Sequence, residues 1–274
     1  MDKERLDIVL VLRDFFSSRE KASEAIKAGV IYVNNSCIKK PSIKIDTNAD
    51  IRIDSEILPY VSKGGLKLKK GIVAFGLDFT DKVILDIGCS TGGFSDCALQ
   101  HGAKFIYGID VGTNQLDKKL QNHSQIKSIE NLHVKDLQSE HLDNNKMDGM
   151  VMDISFISVT HAFSYILPFL KEDGFLFILI KPQFELDNTA LNRQGIVQNP
   201  KNQAKAIQRV ILAAKEVGLF LNAIDYAPLM TYKKNIEYIT LFRFSANGFS
   251  PDIDRLTRIA EEKKKEMKKL KVEN

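Results

Sequence analysis

The chain has 274 residues, of which 44% are hydrophobic and 27% charged, and a formal net charge of +4. That length suits two domains better than one, and the composition excludes a disordered or collagen-like chain. The mild positive charge permits a nucleic-acid partner without requiring one. Three scattered cysteines, Cys37, Cys89 and Cys97, lack CxxC spacing. They argue against a zinc site or disulfide framework and predict a reducing, cytoplasmic setting with no metal. The opening MDKERLDIVL lacks the apolar core and cleavage site of an export signal. The longest uncharged run, Ile154 to Leu170, is shorter than the roughly 20 residues a bilayer requires, so no membrane span is expected.

Residues 6 to 16, LDIVLVLRDFF, are apolar with polar breaks at Asp7, Arg13 and Asp14, which predicts a short, mostly buried helix. Ser17 and Glu20 have capping-box spacing for a second helix, and Gly29 stands where a C-terminal cap belongs. VIYVN then alternates as a strand, Asn34-Asn35 offers a tight turn, and IKKPSIKI with IRID completes one small sheet. Residues 1 to 60 carry ten Lys and Arg against ten Asp and Glu, so a basic face here must come from segregation. Arg13, Arg19, Lys21 and Lys27 around the helix junction, with Lys39, Lys40 and Lys44 on the hairpin, can form a phosphate-facing surface or a solvated mixed-charge face. The pattern Arg5-Leu6-Asp7, Arg13, Ser18-Arg19-Glu20, Ala22, Ile26, Gly29 and Val33-Asn34-Asn35 resembles the αL RNA-binding module of ribosomal-protein S-four type. The resemblance implies an α+β RNA-binding domain over residues 1–59, with Arg5 among its contacts, that reads RNA shape and backbone.

LPYVSKGGLKLKKGI, residues 58 to 72, is punctuated by Pro59 and Gly64-Gly65 and carries Lys63, Lys67, Lys69 and Lys70 with no acid. Residues 60–71 are expected to be a basic linker leading into an amphipathic helix, or an RNA-facing entrance to an active site. From Lys82 onward short apolar strands alternate with helical stretches, through VILDIG, FIYGID, IKSI, MDGMVMDIS and FLFILIK to LNAIDYAP and IEYITLFRF. The pattern predicts a mostly parallel sheet covered by helices on both faces, with an antiparallel pair at its C-terminal end. The tail, residues 251–274, has eight basic and six acidic residues and reads as a solvated surface helix.

The first turn of this second domain reads Asp86-Ile87-Gly88-Cys89-Ser90-Thr91-Gly92-Gly93. A strand, glycine turn and helix bring backbone N–H groups and a positive helix end toward a ligand. A dinucleotide fingerprint would place glycine where Ser90 stands, and a P-loop would need a lysine that is absent. Asp110, closing the next strand, suits ribose hydroxyls, and Asp86 can approach a cationic amino-acid end. S-adenosyl-L-methionine satisfies both, which favours a methyltransferase over a nicotinamide enzyme.

Asp153 and Lys181 fall at the carboxyl ends of later strands, where an open α/β sheet binds ligands. Glu237 starts the last strand, and Lys67 lies on a helix ahead of the first. A ribose 2′-hydroxyl is a poor nucleophile, and a lysine made partly neutral by burial and a neighbouring cation can accept its proton. Lys181 is the candidate base and Lys67 the neighbouring cation that also contacts the RNA backbone. Asp153 and Glu237 would orient the lysines, with alignment of the reacting groups supplying about 7 to 11 kcal/mol.

VSKGGLKL, LDIGCSTGGFSDCALQHGAKFIYGIDVGTNQL, DISFIS and IKPQFE together resemble the TlyA family, hemolysin-named proteins that join an αL module to an FtsJ-like ribose methyltransferase. The resemblance implies a Rossmann-like class I S-adenosylmethionine-dependent methyltransferase sheet over residues 72–250. It carries the Lys-Asp-Lys-Glu tetrad onto Lys67, Asp153, Lys181 and Glu237. It also implies cofactor contacts from Asp86, Gly88, Ser90, Gly92, Gly93, Phe94, Asp110 and Asp153, and RNA contacts from Arg5, Arg13, Arg19, Lys21, Lys39, Lys40, Lys63, Lys69 and Lys70. The activity implied is 2′-O-methylation of cytidine in ribosomal RNA of the small subunit, the large subunit or both. Two departures stand out. Lys234-Asn235-Ile236-Glu237 replaces a Gly-Asn-x-Glu approach, and Asn131-Leu132-His133 replaces an Arg-Thr-Asn stretch, leaving His133 either an adenine contact or a surface histidine. The rival readings are a membrane-active hemolysin and a catalytically silent ribosome-associated RNA-binding protein. A base methylase is disfavoured, because DISF lacks the proline of the amino-group methylase turn and Cys89 and Cys97 are not placed as cleft nucleophiles.

Overall fold

A computed structural model describes residues 3–13, 15–16, 18–53 and 59–270. The chain divides into two compact units between Pro59 and Tyr60. The first contains β1 (Lys3–Arg5), α1 (Leu6–Leu12), α2 (Arg19–Ala28), β2 (Ile31–Val33), β3 (Ser36–Cys37), β4 (Lys44–Asp46) and β5 (Ile51–Ile53). Leu6, Val9, Leu10, Ala22, Ile26 and Ile31 form its core, the buried stripes of two helices against short strands.

Ser17 and Asp14 lie outside the described residues. The helix cap is Ser18, whose side chain accepts a hydrogen bond from the Lys21 N–H, and Gly29 closes α2 in the left-handed region with φ +77°. Asn34 and Asn35 both have positive φ, as a tight hairpin turn demands. The strands form two small sheets rather than the expected one, β1 with β4 and β3-β2-β5, because residues 3–5 add a strand that draws β4 away from the hairpin.

The second unit begins with α3 (Gly64–Phe75). It continues through β6 (Val83–Ile87), α4 (Gly93–Gln100), β7 (Phe105–Ile109), α5 (Lys118–Gln121), β8 (Ile126–Ile129), β9 (Met147–Met152), α6 (Phe163–Ile166) and β10 (Leu170–Ile180). It ends with α7 (Pro182–Glu185), α8 (Pro200–Glu216), β11 (Phe220–Tyr226), β12 (Tyr238–Arg243) and α9 (Ile253–Leu270). Its seven strands run in the order β11-β12-β10-β9-β6-β7-β8. β6 to β10 pair in parallel, and β12 runs antiparallel to both of its neighbours. Two buried clusters, one on each face of the sheet, explain why strands such as FLFILI read as unbroken apolar runs.

Two segments read as peripheral are integral to this unit. The lysine-rich stretch is helical from Gly64, and Leu68 is fully buried. Its glycines serve close packing, since a Cβ at Gly71 would stand 2.2 Å from the Phe177 ring and one at Gly65 2.4 Å from Tyr60. The tail helix α9 packs on α8 and buries Ile253, Thr257, Ala260, Glu261 and Lys264. Glu261 is held there by Gln203, whose amide donates to it at 2.9 Å.

Candidate active site

The strand register gathers the carboxyl ends of β6, β7, β9 and β10 on one edge. Ile87 pairs with Ile109 and Met152, and Met152 with Ile178. Gly88, Asp110, Asp153 and Lys181 therefore follow their strands side by side. Because β12 is antiparallel to β10, with Tyr238 opposite Ile180, its first residues return to the same edge and bring Glu237 beside Lys181. α3 supplies Lys67 from the other side.

Four side chains converge there. Lys67 Nζ lies 2.8 Å from Glu237 Oε2 and 3.3 Å from Asp153 Oδ2, while Lys181 Nζ lies 2.6 Å from Asp153 Oδ1. Lys181 also donates to the Ser155 hydroxyl at 2.7 Å and is only 7% exposed. Burial alone would weaken the charge on Lys67, but the Asp153 and Glu237 carboxylates outweigh it and hold the ammonium above its ordinary pKa. Burial likewise opposes the charge on Asp153, and Lys67 and Lys181 together hold its carboxyl below the usual range. Lys67 is thus a cation paired with both of the acids expected to orient the lysines. Asp153 stands between the two amines, and with Glu237 it matches their charge.

The glycine turn adjoins this cluster. Asp153 N–H donates to the Ile87 carbonyl at 3.2 Å, and a Cβ at Gly88 would meet the Asp153 carbonyl at the same distance. Asp86 is 1% exposed; its Oδ2 accepts from the Ser95 hydroxyl at 2.6 Å, and its Oδ1 is buried with no hydrogen-bond partner among the described residues. Burial pushes the Asp86 carboxyl up to about 7, against the pull of the Ser95 bond. The Asp110 carboxylate accepts from Ser90 N–H at 2.8 Å and Gly112 N–H at 2.7 Å, which fixes it at the rim of the turn. The arrangement offers an unpaired anion, a positioned carboxylate and a glycine-bared backbone to one ligand. An ion-paired lysine cluster lies next to it.

Residues 60–244 match the family model described as FtsJ-like methyltransferase, and residues 4–51 match the S4 domain. The chain belongs to the FtsJ-like methyltransferase family. Hemolysin A of Brachyspira hyodysenteriae is 37% identical over 238 residues, covering 87% of this chain and 99% of that protein. The 16S/23S rRNA (cytidine-2′-O)-methyltransferase TlyA of Mycobacterium tuberculosis is 30% identical over 258 residues, covering 92% of this chain and 96% of that protein. The solved structure of a hemolysin-named protein from Streptococcus thermophilus is 33% identical with a TM-score of 0.76, covering 97% of this chain and 99% of that one. Each of these matches covers 87% or more of this chain and so extends beyond the FtsJ-like unit.

Within the FtsJ-like unit, some residues expected at the site are engaged elsewhere. Phe94 is a core residue, 3% exposed and packed edge-on against Phe177 with ring centroids 5.9 Å apart. His133 is exposed and caps a short 3-10 turn by accepting from the Lys135 N–H at 3.1 Å. Lys69 contacts His101 Nε2 at 2.8 Å, and Lys70 pairs with Asp225 at 2.8 Å and lies over the Tyr226 ring. Of the lysine run, Lys63 is exposed. In the S4 domain, the buried Asp7 holds two of the expected RNA contacts, Arg5 at 3.0 Å and Arg19 at 3.1 Å. Arg13 donates to the Ala49 carbonyl at 2.7 Å. Lys39 and Lys40 are exposed, whereas Lys21 is partly buried in the first turn of α2.

Sequence reasoning missed Ser95, Ser155, Phe156 and Glu185. Phe156, in the loop after Asp153, is 88% exposed with φ +72°, and its ring centroid lies 5.4 Å from that of Phe184. An aromatic in an apolar stretch reads as core until the backbone conformation is known.

Proposed function

We propose that this chain transfers the methyl group of S-adenosylmethionine to the ribose 2′-hydroxyl of a cytidine in ribosomal RNA. The observation that carries the reading is the Lys67, Asp153, Lys181 and Glu237 cluster immediately beside the glycine turn. The buried Asp86 Oδ1, unpartnered among the described residues, fits an ammonium group, Asp110 fits ribose hydroxyls, and Gly88 and Gly92 take the positive φ that the tight turn beside them requires. When bound, S-adenosylmethionine supplies a sulfonium methyl open to attack by an oxygen nucleophile.

The chain's own residues do the rest. The Lys181 amine, through a free lone pair, would take the proton of the 2′-hydroxyl as the oxygen attacks the methyl carbon, the electrons of the broken C–S bond staying with the neutral thioether that departs. Lys67, held charged by its two carboxylates, faces the RNA backbone and keeps the hydroxyl in line. Asp153 spaces the two amines, and Glu237 anchors Lys67 from the opposite side. Phe156 offers an exposed ring on which the target base stacks. A stacked base is worth about 1–3 kcal/mol, so Phe156→Ala should raise the KM for RNA roughly tenfold and change kcat less, as steady-state kinetics would read. The S4 domain supplies RNA affinity through Lys39, Lys40 and the arginines braced by Asp7.

Asp86 makes cofactor affinity depend on pH. An ammonium pairs with the ionised carboxylate, so affinity should fall about tenfold for each pH unit below about 7 as the carboxyl keeps its proton. The sign reverses for folding. An acid whose folded pKa is raised contributes stability at low pH that is lost as pH rises through about 7. Asp86→Asn should therefore bind the cofactor poorly at every pH, yet melt higher than wild type at pH 8. Calorimetric titration and thermal melts would check both.

The reading is tested by incubating the protein with labelled S-adenosylmethionine and unmodified small and large ribosomal subunits, then mapping the modified nucleotide. The expected product is 2′-O-methylcytidine, absent with Lys67→Ala. Label on a base, or on no subunit, overturns the assignment. The hemolysin name of several relatives raises membrane activity as a second reading, against which no described helix is long and apolar enough to cross a membrane. Liposome leakage that survives Lys181→Ala would support it.

A further inference from the structure

Glu185 ends α7, four residues after Lys181, and is only 1% exposed. A buried carboxylate is unfavourable unless hydrogen bonds satisfy it, and this one is satisfied from a different loop. Its Oε2 accepts from the Ser158 hydroxyl at 2.5 Å, and its Oε1 from the Val159 N–H at 2.9 Å. Its backbone carbonyl accepts from Arg209 of α8 at 2.7 Å, which ties α7 to a long, rigid helix. Ser158 and Val159 close the loop that opens at Asp153. Within that loop Phe156 takes φ +72°, a left-handed conformation that a bulky residue keeps only when its surroundings hold it there.

We propose that Glu185 is a positioning residue for methyl transfer, whose carboxylate latches the loop after β9 to α7, the helix that follows β10, and so fixes Asp153 relative to Lys181. The inference rests on the methyl-transfer reading above. Burial raises the Glu185 carboxyl above its ordinary range, while the Ser158 and Val159 donors and the charges of Arg209 and His161 counter that rise. The glycine turn, Asp86 to Gly93, contributes none of the latch's hydrogen bonds, so cofactor binding should be separable from the latch. Glutamine keeps an acceptor for Val159, and the Ser158 hydroxyl can turn to meet its amide.

The test compares wild type, Glu185→Ala, Glu185→Gln and Ser158→Ala in kcat and KM on ribosomal subunits, in affinity for S-adenosylmethionine, and in hydrogen exchange at the Val159 amide. A small misplacement of reacting groups can cost on the order of 100-fold. Glu185→Ala should therefore lose at least about tenfold in kcat, bind S-adenosylmethionine within about twofold of wild type, and exchange Val159 faster. Glu185→Gln should stay within about threefold in kcat, and Ser158→Ala should fall between the two. Wild-type kcat in Glu185→Ala overturns the latch, as does parallel loss of cofactor binding, or a glutamine variant as impaired as alanine. If Glu185→Ala does not fold, Ser158→Ala decides, and an unchanged kcat there overturns the latch. Absence of transfer by the wild-type protein overturns the methyl-transfer reading itself, whereas normal wild-type transfer with an unaffected Glu185→Ala overturns the latch alone.

Discussion

Lys181→Ala is expected to lower methyl transfer to RNA by about 10²–10⁴-fold, the usual contribution of a positioned general base, while affinity for S-adenosylmethionine stays close to wild type. The expectation follows from placement. Lys181 follows a strand whose last seven residues are buried, and its Nζ is held between Asp153 at 2.6 Å and the Ser155 hydroxyl at 2.7 Å. The amine is therefore directed before RNA arrives, and alanine removes it without disturbing the glycine turn. Lys181→Arg separates two roles. A guanidinium keeps the positive charge but does not give up its proton in a protein, so a true base fails equally as arginine or alanine. An active arginine variant would assign Lys181 to charge stabilisation instead. Single-turnover rates with saturating cofactor make the measurement, since they exclude product release.

Asp153→Asn should give the second large effect, on stability and activity together. The carboxylate lies within ion-pair distance of both lysines, and its side chain is 19% exposed. Removing one partner from a buried charge cluster leaves the others uncompensated, which costs about 3–5 kcal/mol. Glu237 remains for Lys67, but Lys181 keeps no carboxylate within ion-pair distance among the described residues. The pH dependence of unfolding carries the signature. The Asp153 carboxyl is depressed in the folded state, so its contribution is present above its unfolded value of about 3.9 and is lost as pH falls through the folded one. The Lys67 ammonium is raised, so its contribution is complete below about 10.4 and is lost as pH rises through its folded value. Denaturant titrations should find wild type losing stability at both extremes and Asp153→Asn losing less than wild type below pH 4, the remainder coming from other depressed carboxylates such as Asp7 and Asp148. Transfer by this variant should fall at least tenfold, since the two amines lose the group that spaces them.

Much of the site was legible because its residues occupy strand ends. A run such as MDGMVM announces a buried strand, and the first polar residue after it, Asp153, must lie at the carboxyl edge where ligands bind. The same logic located Asp110 and Lys181, and Asp86 stands one residue short of the end of β6. Glu237 required the topology, because only the antiparallel course of β12 returns its first residues to that edge. The charge balance inside the cluster was not legible. Nothing in the spacing of Lys67, Asp153 and Lys181 says that the aspartate stands between the lysines. Phe94 and Lys70 show what local pattern leaves out. Both adjoin sequence motifs, yet one is buried against Phe177 and the other is paired with Asp225, because a helix presents neighbouring residues to different faces.

The sequence by itself determined the two-part organisation, the alternation of strands and helices and the chemical identity of the glycine turn. These are written in contiguous residues, through periodicity, turn formers and the polar residue that ends each apolar run. Tertiary structure alone decided that the helix carrying Lys67 packs into the core of the second unit, that Asp7 braces Arg5 and Arg19, and that Glu185 ties α7 to the loop after β9. Each of these depends on a partner brought close by folding: Phe177 against Gly71, a buried aspartate beneath two guanidinium groups, a serine hydroxyl 27 positions from its carboxylate. Local pattern specifies which face a residue presents, and packing specifies what that face meets.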